Sequence, residues 1–315
     1  MEKPIVSTVV ITHNNGDLFV KALNSLINQS FKQPYEIIVI NDCSNDNTEQ
    51  FVLEMVKKHP HIVYKAVNNR SAALSRFDGV KLARGEYITF LDGDDYYHPN
   101  YVSTMYEQIR KHNGDVINCS LFYVRKNNKI QKCKIGVNRI YNSKEKAIKA
   151  LFDDFSVHGF MHTKMYKAEL IKSFNADLLK EHFVYEDVLI NYVLFKKIDR
   201  LINIKTPLLY YNKANENSIT LSNRRIQDQI NVTAYIRKDI ELTNNPKLLK
   251  IFRNNYIRKR LSLTADFFMS GFENKKEKLK IKKQAKKDLR ILFKKEPIDI
   301  TNKTFETFVK KMINQ

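Results

Sequence analysis

The sequence predicts an α/β fold, a mostly parallel sheet flanked by helices, followed by an all-helical C-terminal region. Three observations carry that prediction. Short apolar runs of strand length alternate with helix-period segments over the first 125 residues. The links between them are short, which favours right-handed βαβ crossovers and parallel pairing. From about residue 226 the strand signals stop and only helical stripes continue.

Each element has its own signal. Thr8–Thr12 is a continuous apolar run of the kind buried on both faces. Asp17–Asn28 carries Phe19, Leu23, Leu26 and Ile27 at helical spacing. Glu36–Ile40 is a second strand, and Thr48–Lys58 a helix with Phe51, Met55 and Val56 on one face. Ile62–Val67 reads as a third strand, Ser71–Ala83 as a helix ended near Gly85, and Tyr87–Leu91 as a fourth strand. Asn100–His112 follows as a helix and Val116–Tyr123 as a strand. The middle of the chain is less regular. It holds a basic loop (Arg125–Lys134), a helical stretch (Ser143–Phe152), the segment HGFMHTKMYKAELI, the helix VYEDVLINYVLFKK and a last strand, Thr206–Asn212. The expected organisation is an α/β domain over 1–222, with halves near 1–125 and 126–222, and a basic helical region over 223–315.

Charge sets the second frame. The 315 residues carry 54 Lys and Arg against 34 Asp and Glu, a net charge of +20. A field of that sign points to polyanionic partners: nucleic acid, an anionic membrane face or a phosphate-rich substrate. The composition is that of a globular chain, with 43% hydrophobic and 28% charged residues. No apolar run approaches the ~18 residues that span a bilayer. Met1-Glu2-Lys3-Pro4 leads into a strand with no signal-peptide core, so a cytoplasmic location is expected. Cys43, Cys119 and Cys133 have no metal-ligand spacing and read as reduced thiols. Neither G-x-G-x-x-G nor a P-loop occurs, which leaves a dinucleotide fold unsupported.

Parallel sheets bind ligands beyond the carboxyl ends of their strands. Those ends read Thr12-His13-Asn14-Asn15, Asn41-Asp42-Cys43-Ser44, Asn68-Asn69-Arg70-Ser71 and Asp92-Gly93-Asp94-Asp95. The last places three carboxylates within four residues, and such a cluster needs a counter-charge. A hard cation, Mg²⁺ or Mn²⁺, suits carboxylate oxygens and brings phosphate with it. The alternative is a plain helix start at Asp95, ahead of Pro99-Asn100.

Taken together and in this order, the motifs over roughly 5–220 resemble the family 2 glycosyltransferases of the GT-A fold. Asp42 matches the second Asp of the family's Asp-Asp-Gly-Ser turn. Asn69, Arg76 and Gly79 match its Asn-x-Gly and Ala-Arg-Asn-x-Gly elements, and Asp92-Gly93-Asp94 its Asp-x-Asp. The Pro-Thr-Tyr-Asn-like turn appears as Ile11-Thr12-His13-Asn14, without the proline. The resemblance implies an inverting, metal-dependent transferase that takes a sugar from UDP-GlcNAc, UDP-Glc or UDP-Gal. It implies that Thr12, Asn14, Asp42, Asn69, Asp92 and Gly93 hold the nucleotide-sugar, with the Arg76 fork on phosphate or sugar oxygens. Asp94, with Asp92, would ligate Mn²⁺ or Mg²⁺. Asp187 of Tyr185-Glu186-Asp187 would be the base and Glu186 its companion, although both also suit a helix N-terminus as plain charges.

Other residues carry weaker signals. Lys164 matches a family position, while a solvated lysine fits as well. His158 and His162 suit an acceptor pocket or an ordinary core. Ser218, Ser222, Arg224 and Arg225 belong to a loop that resembles one closing over a diphosphate. Size and layout resemble bacterial wall teichoic acid and cell-surface polysaccharide transferases. The expected acceptor is therefore a polyanionic glycopolymer such as teichoic acid or capsular polysaccharide. The basic helices suit that acceptor, peripheral contact with the inner membrane face, or a homo-oligomer. No recognised DNA-binding pattern supports nucleic acid as partner. Two other classes stay open on sequence: a polyanion-binding scaffold without turnover, and a nucleotidyltransferase of similar fold.

Overall fold

The computed structural model describes residues 2–153, 156–179, 185–215 and 224–252. The chain divides into two compact units, Met1–Ile236 and Arg237–Gln315. The sequence-based boundary near 222 falls in 216–223, outside the described residues, as do the apolar stripes at 257–268 and 281–292.

The first half is a regular alternation: β1 (Val6–Thr12), α1 (Gly16–Ile27), β2 (Tyr35–Asp42), α2 (Thr48–Lys58), β3 (Ile62–Val67), α3 (Ala72–Leu82) and β4 (Tyr87–Asp92). A two-residue strand, β5 (Tyr96–Tyr97), precedes α4 (Tyr101–Lys111) and β6 (Val116–Val124). Then come β7 (Ile130–Lys132), β8 (Arg139–Tyr141), α5 (Lys144–Asp153), β9 (Lys164–Lys167), α6 (Ala168–Lys172), α7 (Glu186–Phe195), β10 (Leu201–Asn212) and α8 (Arg224–Leu242).

The strands form one sheet in the order β3-β2-β1-β4-β9-β6-β10-β5, with β7 beside β6 and β8 beside β10. β3, β2, β1 and β4 are mutually parallel, and β6 is parallel to β10. β9 runs antiparallel between β4 and β6, so those two again point the same way. The carboxyl ends of six strands therefore share one edge.

Helices cover both faces. Every residue of β1 is buried, as a strand sandwiched between helices requires. Val6 and Val10 join Phe19, Leu23 and Leu26 of α1 in one core cluster. Val9, on the opposite face by strand alternation, meets α3. A Cβ on Gly79 would stand 2.3 Å from Val9 Cγ1, so glycine lets α3 lie close on β1. β10 starts earlier than the sequence-based strand because Pro207 interrupts its pattern; register shifts on both sides of that proline absorb the irregularity. No helix among the described residues is long and apolar enough to cross a membrane.

Candidate active site

The four strand ends are knitted together by their own side chains. Thr12 Oγ1 and the His13 N–H both donate to Asn15 Oδ1, each at 3.1 Å. Asn14 stands in the left-handed region at φ 51°; its N–H donates to Ser44 Oγ at 3.0 Å and its Oδ1 accepts from the Asn45 N–H at 2.8 Å. The ends of β1 and β2 are thereby tied side by side.

Asp42 holds the third end. Its Oδ1 accepts from the N–H groups of Asn69 and Arg70, both at 2.9 Å. Its Oδ2 accepts from the Ser71 N–H at 3.0 Å and from Ser75 Oγ at 2.9 Å. Four donors fill the carboxylate, which therefore shapes the 69–71 turn. Arg70 sits there at φ 48°, a conformation a free turn seldom keeps. Asn69 donates from Nδ2 to Ser75 Oγ at 3.1 Å and to Asp78 Oδ2 at 2.8 Å.

The fourth end answers the question of counter-charge. Arg76, on α3, is 5% exposed. Its Nη2 donates to Asp92 Oδ1 at 2.7 Å. Its Nη1 donates to Glu186 Oε1 at 2.9 Å and lies 3.5 Å from Asp187 Oδ1. One guanidinium fork thus joins the end of β4 to the start of α7. The sequence-based expectation put this fork on phosphate or sugar oxygens; the structure places it among three carboxylates. Burial pushes the Asp92 carboxyl up, but the Arg76 and His162 charges outweigh that and hold it below the usual carboxylate range.

Gly93 follows at a point of close approach. A Cβ there would lie 2.7 Å from Asn15 Oδ1 and 2.8 Å from the Ile11 carbonyl oxygen, so the chain can turn past β1 only with glycine. Asp94 Oδ2 accepts from Asn215 Nδ2 at 2.8 Å. Burial, with the Asp92 charge, raises the Asp94 pKa. Asp95 is 1% exposed; its Oδ1 accepts from the Asn212 N–H at 2.8 Å and its Oδ2 has no hydrogen-bond partner among the described residues. Burial, then Asp94 and Asp92, push its carboxyl well up.

His162 completes this corner. Its Nδ1 lies 3.2 Å from Asp92 Oδ2 and 3.5 Å from Asp95 Oδ2. Asp92, Asp95 and His162 each offer a ligand atom, and the three atoms lie within 4.8 Å of one another. An orphaned buried carboxylate oxygen inside an oxygen and imidazole donor set fits a divalent cation. Sequence reasoning named Asp92 and Asp94 for that role. Asp92 is one of these three residues, Asp94 stands beside the group, and Asp95 and His162 are further candidate ligands that the sequence reading did not name for this role. The run of acidic residues pointed to Asp95, whereas no spacing signal ties it to His162 in a later segment.

α7 supplies the facing carboxylates. Tyr185 enters it at φ 74°, and Glu186 and Asp187 fall in its first turn, where the helix dipole favours negative charge. Burial and then the Asp187 charge raise the Glu186 carboxyl to about 7 against the pull of Arg76. Asp187 Oδ2 accepts from the Met161 N–H at 3.1 Å, while the buried Oδ1 has no hydrogen-bond partner among the described residues. Of the remaining candidates, Ser218 and Ser222 lie outside the described residues. Arg224 and Arg225 open α8, and their side chains are not among those described.

With this geometry established, similarity to known proteins gives the family. Residues 7–173 match the model of glycosyl transferase family 2. The chain belongs to that family. The match ends before Glu186 and Asp187, so the roles of that pair rest on geometry. A curated relative, the poly(ribitol-phosphate) beta-N-acetylglucosaminyltransferase TarP of Staphylococcus aureus, is 28% identical over 67% of this chain and 63% of its own length. The poly(ribitol-phosphate) beta-glucosyltransferase of Bacillus spizizenii is 33% identical over 35% of this chain and 18% of its own. The alignments thus cover less than two thirds of either relative. Among solved structures, S. aureus TarS 1–349 in complex with UDP-GlcNAc superposes with a TM-score of 0.68, at 20% identity, over 89% of this chain and 80% of that one. That likeness establishes the GT-A arrangement of the sheet.

Proposed function

We propose that this chain is an inverting glycosyltransferase that moves a sugar from a UDP-sugar to a hydroxyl of a polyanionic bacterial cell-surface glycopolymer, with teichoic acid the leading acceptor. One observation carries the reading. Arg76 joins Asp92, on the edge that would hold the diphosphate, to Glu186 and Asp187 at the start of α7. Asp187 has Oδ2 fixed by a backbone N–H, while Oδ1 faces the Arg76 guanidinium at 3.5 Å and takes no hydrogen bond among the described residues. A carboxylate so held can take a proton from an incoming hydroxyl on the far side of the anomeric carbon. The named activities of the relatives, and the UDP-GlcNAc in a structural neighbour, support the donor and acceptor classes.

In this reading, Thr12, Asn14 and Asn69 line the nucleoside end. Asp42 acts by holding the 69–71 turn in shape. Asp92, Asp95 and His162 would hold Mn²⁺ or Mg²⁺, which offsets charge on the departing diphosphate. Arg76 keeps Asp92 and Glu186 in register across the cleft, and Asp187 receives the proton. The 1–222 region is the catalytic domain. The basic region after it attracts the acceptor's phosphates, and it suits peripheral attachment to the inner face of the membrane and self-association.

Asp187→Asn tests the assignment. Transfer should fall by a factor of about 10²–10⁴, the usual weight of a general base, while UDP and polyanion still bind. Unchanged turnover would remove Asp187 from the reaction. Polyanion binding with no turnover from any UDP-sugar would favour a scaffold.

A further inference from the structure

A buried lysine outside the roles assigned above lies beside the proposed base. Lys164 opens β9 and is 0% exposed. A lysine is almost never fully buried unless its ammonium is paired. Among the described residues no carboxylate lies within ion-pair distance of it. Its Nζ donates instead to neutral oxygens: the His158 carbonyl, the Phe160 carbonyl at 2.7 Å and Thr163 Oγ1 at 3.4 Å.

Those acceptors lie in the turn that leads into β9. Buried carbonyls need donors, and a three-donor ammonium at the centre of a turn can satisfy two at once. With the carbonyls of residues 158 and 160 gathered inward, the Met161 N–H that follows them reaches Asp187 Oδ2 at 3.1 Å. The next side chain, His162, reaches Asp92 and Asp95. The two ends of the turn are fixed by Asn191 Nδ2, which donates to the Gly159 carbonyl at 2.7 Å, and by Thr163 Oγ1, which donates to Asn118 Oδ1 at 2.9 Å. Both the base and the imidazole therefore take their positions from a turn wrapped around one ammonium.

We infer that Lys164 is a positioning residue: by gathering the 158–163 turn it sets the orientation of Asp187 and the placement of His162 together. This rests on the glycosyltransferase reading above. A methionine would fill the volume, strip the His158 carbonyl of this donor and leave the Phe160 carbonyl with Thr163 Oγ1 at 3.2 Å. The turn would then relax, and a displacement near 1 Å at a reacting group costs about a hundredfold in rate.

The test compares Lys164→Met, Lys164→Gln and wild type in the full chain. Lys164→Met should lower kcat about a hundredfold, with the KM for UDP-sugar at saturating Mn²⁺ and the UDP affinity in EDTA within about twofold, because the Asp42 and Asn69 end does not touch this turn. Mn²⁺ affinity should also fall, and hydrogen exchange of the 158–163 amides should speed up. Lys164→Gln, which keeps two N–H donors, should recover part of each loss. In a double-mutant cycle at saturating Mn²⁺, which offsets the His162 part, Lys164→Met should add much less than its own loss to Asp187→Asn, since the rest acts through that carboxylate. Additive losses, or UDP affinity falling in step with kcat, would overturn the inference and make Lys164 a general stabiliser. Should Lys164→Met fail to fold, Lys164→Gln alone decides by the same readouts. If wild type turns over no UDP-sugar, the functional reading fails instead, and the exchange and Mn²⁺ data still decide whether Lys164 holds the turn.

Discussion

Removing the Arg76 guanidinium is the most informative perturbation of the fold and site together. Arg76 is nearly fully buried, with carboxylate oxygens at 2.7, 2.9 and 3.5 Å. Arg76→Met keeps most of the side-chain volume and deletes the charge, so the loss is electrostatic rather than a cavity. Breaking a buried ion pair by deleting one partner costs about 3–5 kcal/mol, because the remaining charge is stranded. Here Asp92 and Glu186 both lose their partner, which puts the expected loss at the upper end. For a unit of this size each kcal/mol lowers Tm by about 2–4 °C, so a fall of about 10–20 °C is expected. Arg76→Lys should recover only part of that, since one ammonium cannot bond Asp92 and Glu186 on two sides as the fork does. The assay is thermal unfolding followed by circular dichroism, with urea midpoints as a check. If Arg76→Met melts within about 2 °C of wild type, a loss below roughly 1 kcal/mol, the carboxylates do not depend on this cation and the reasoning is refuted.

Three further outcomes follow from the same contacts. Asp42→Asn trades a four-fold acceptor for an amide whose NH₂ faces donors; each charge-assisted hydrogen bond lost costs about 1.5–3 kcal/mol, and UDP affinity measured by calorimetry should drop with stability. Gly93→Ala drives a Cβ against the Ile11 carbonyl, an overpacking cost of about 1–3 kcal/mol visible in the urea midpoint, together with lost turnover. Glu186 is raised to about 7 in the fold, so between the normal carboxylate range and pH 7 the folded chain holds a proton the unfolded chain releases. Its contribution is complete below that normal range and is lost as pH rises through 7. The Tm of wild type should therefore decline from pH 5 to 8 relative to Glu186→Gln, and parallel curves would contradict the assignment.

Much of the donor half was legible because each of its elements buries a simple pattern. β1, β2 and β4 are short apolar runs, α1 shows a single stripe, and each strand end carries the short polar residues that a sheet edge concentrates. β9 was invisible for a physical reason: Lys164-Met165-Tyr166-Lys167 looks like surface, yet Lys164 is buried because its ammonium finds carbonyls in its own turn. β5 and β7 are two and three residues long and have no periodicity to read. In the site, Asp92 and the Glu186–Asp187 pair stood out as charge clusters. Their pairing did not. Arg76 was named from its motif, but for phosphate or sugar oxygens, and only the fold brings it to carboxylates from two other elements. Asp95 reads as a helix start until His162 arrives beside it from the 158–163 turn.

The central claim is transfer from a UDP-sugar at this edge. The most direct test is UDP release from a panel of UDP-sugars in the presence of Mn²⁺, Mg²⁺ or EDTA, run with a polyanionic polyol-phosphate acceptor and without it. The account predicts release from one donor, stimulated by acceptor, abolished by EDTA and absent in both Asp92→Asn and Asp187→Asn. No release from any donor, with no UDP binding by calorimetry in Mn²⁺, would contradict it.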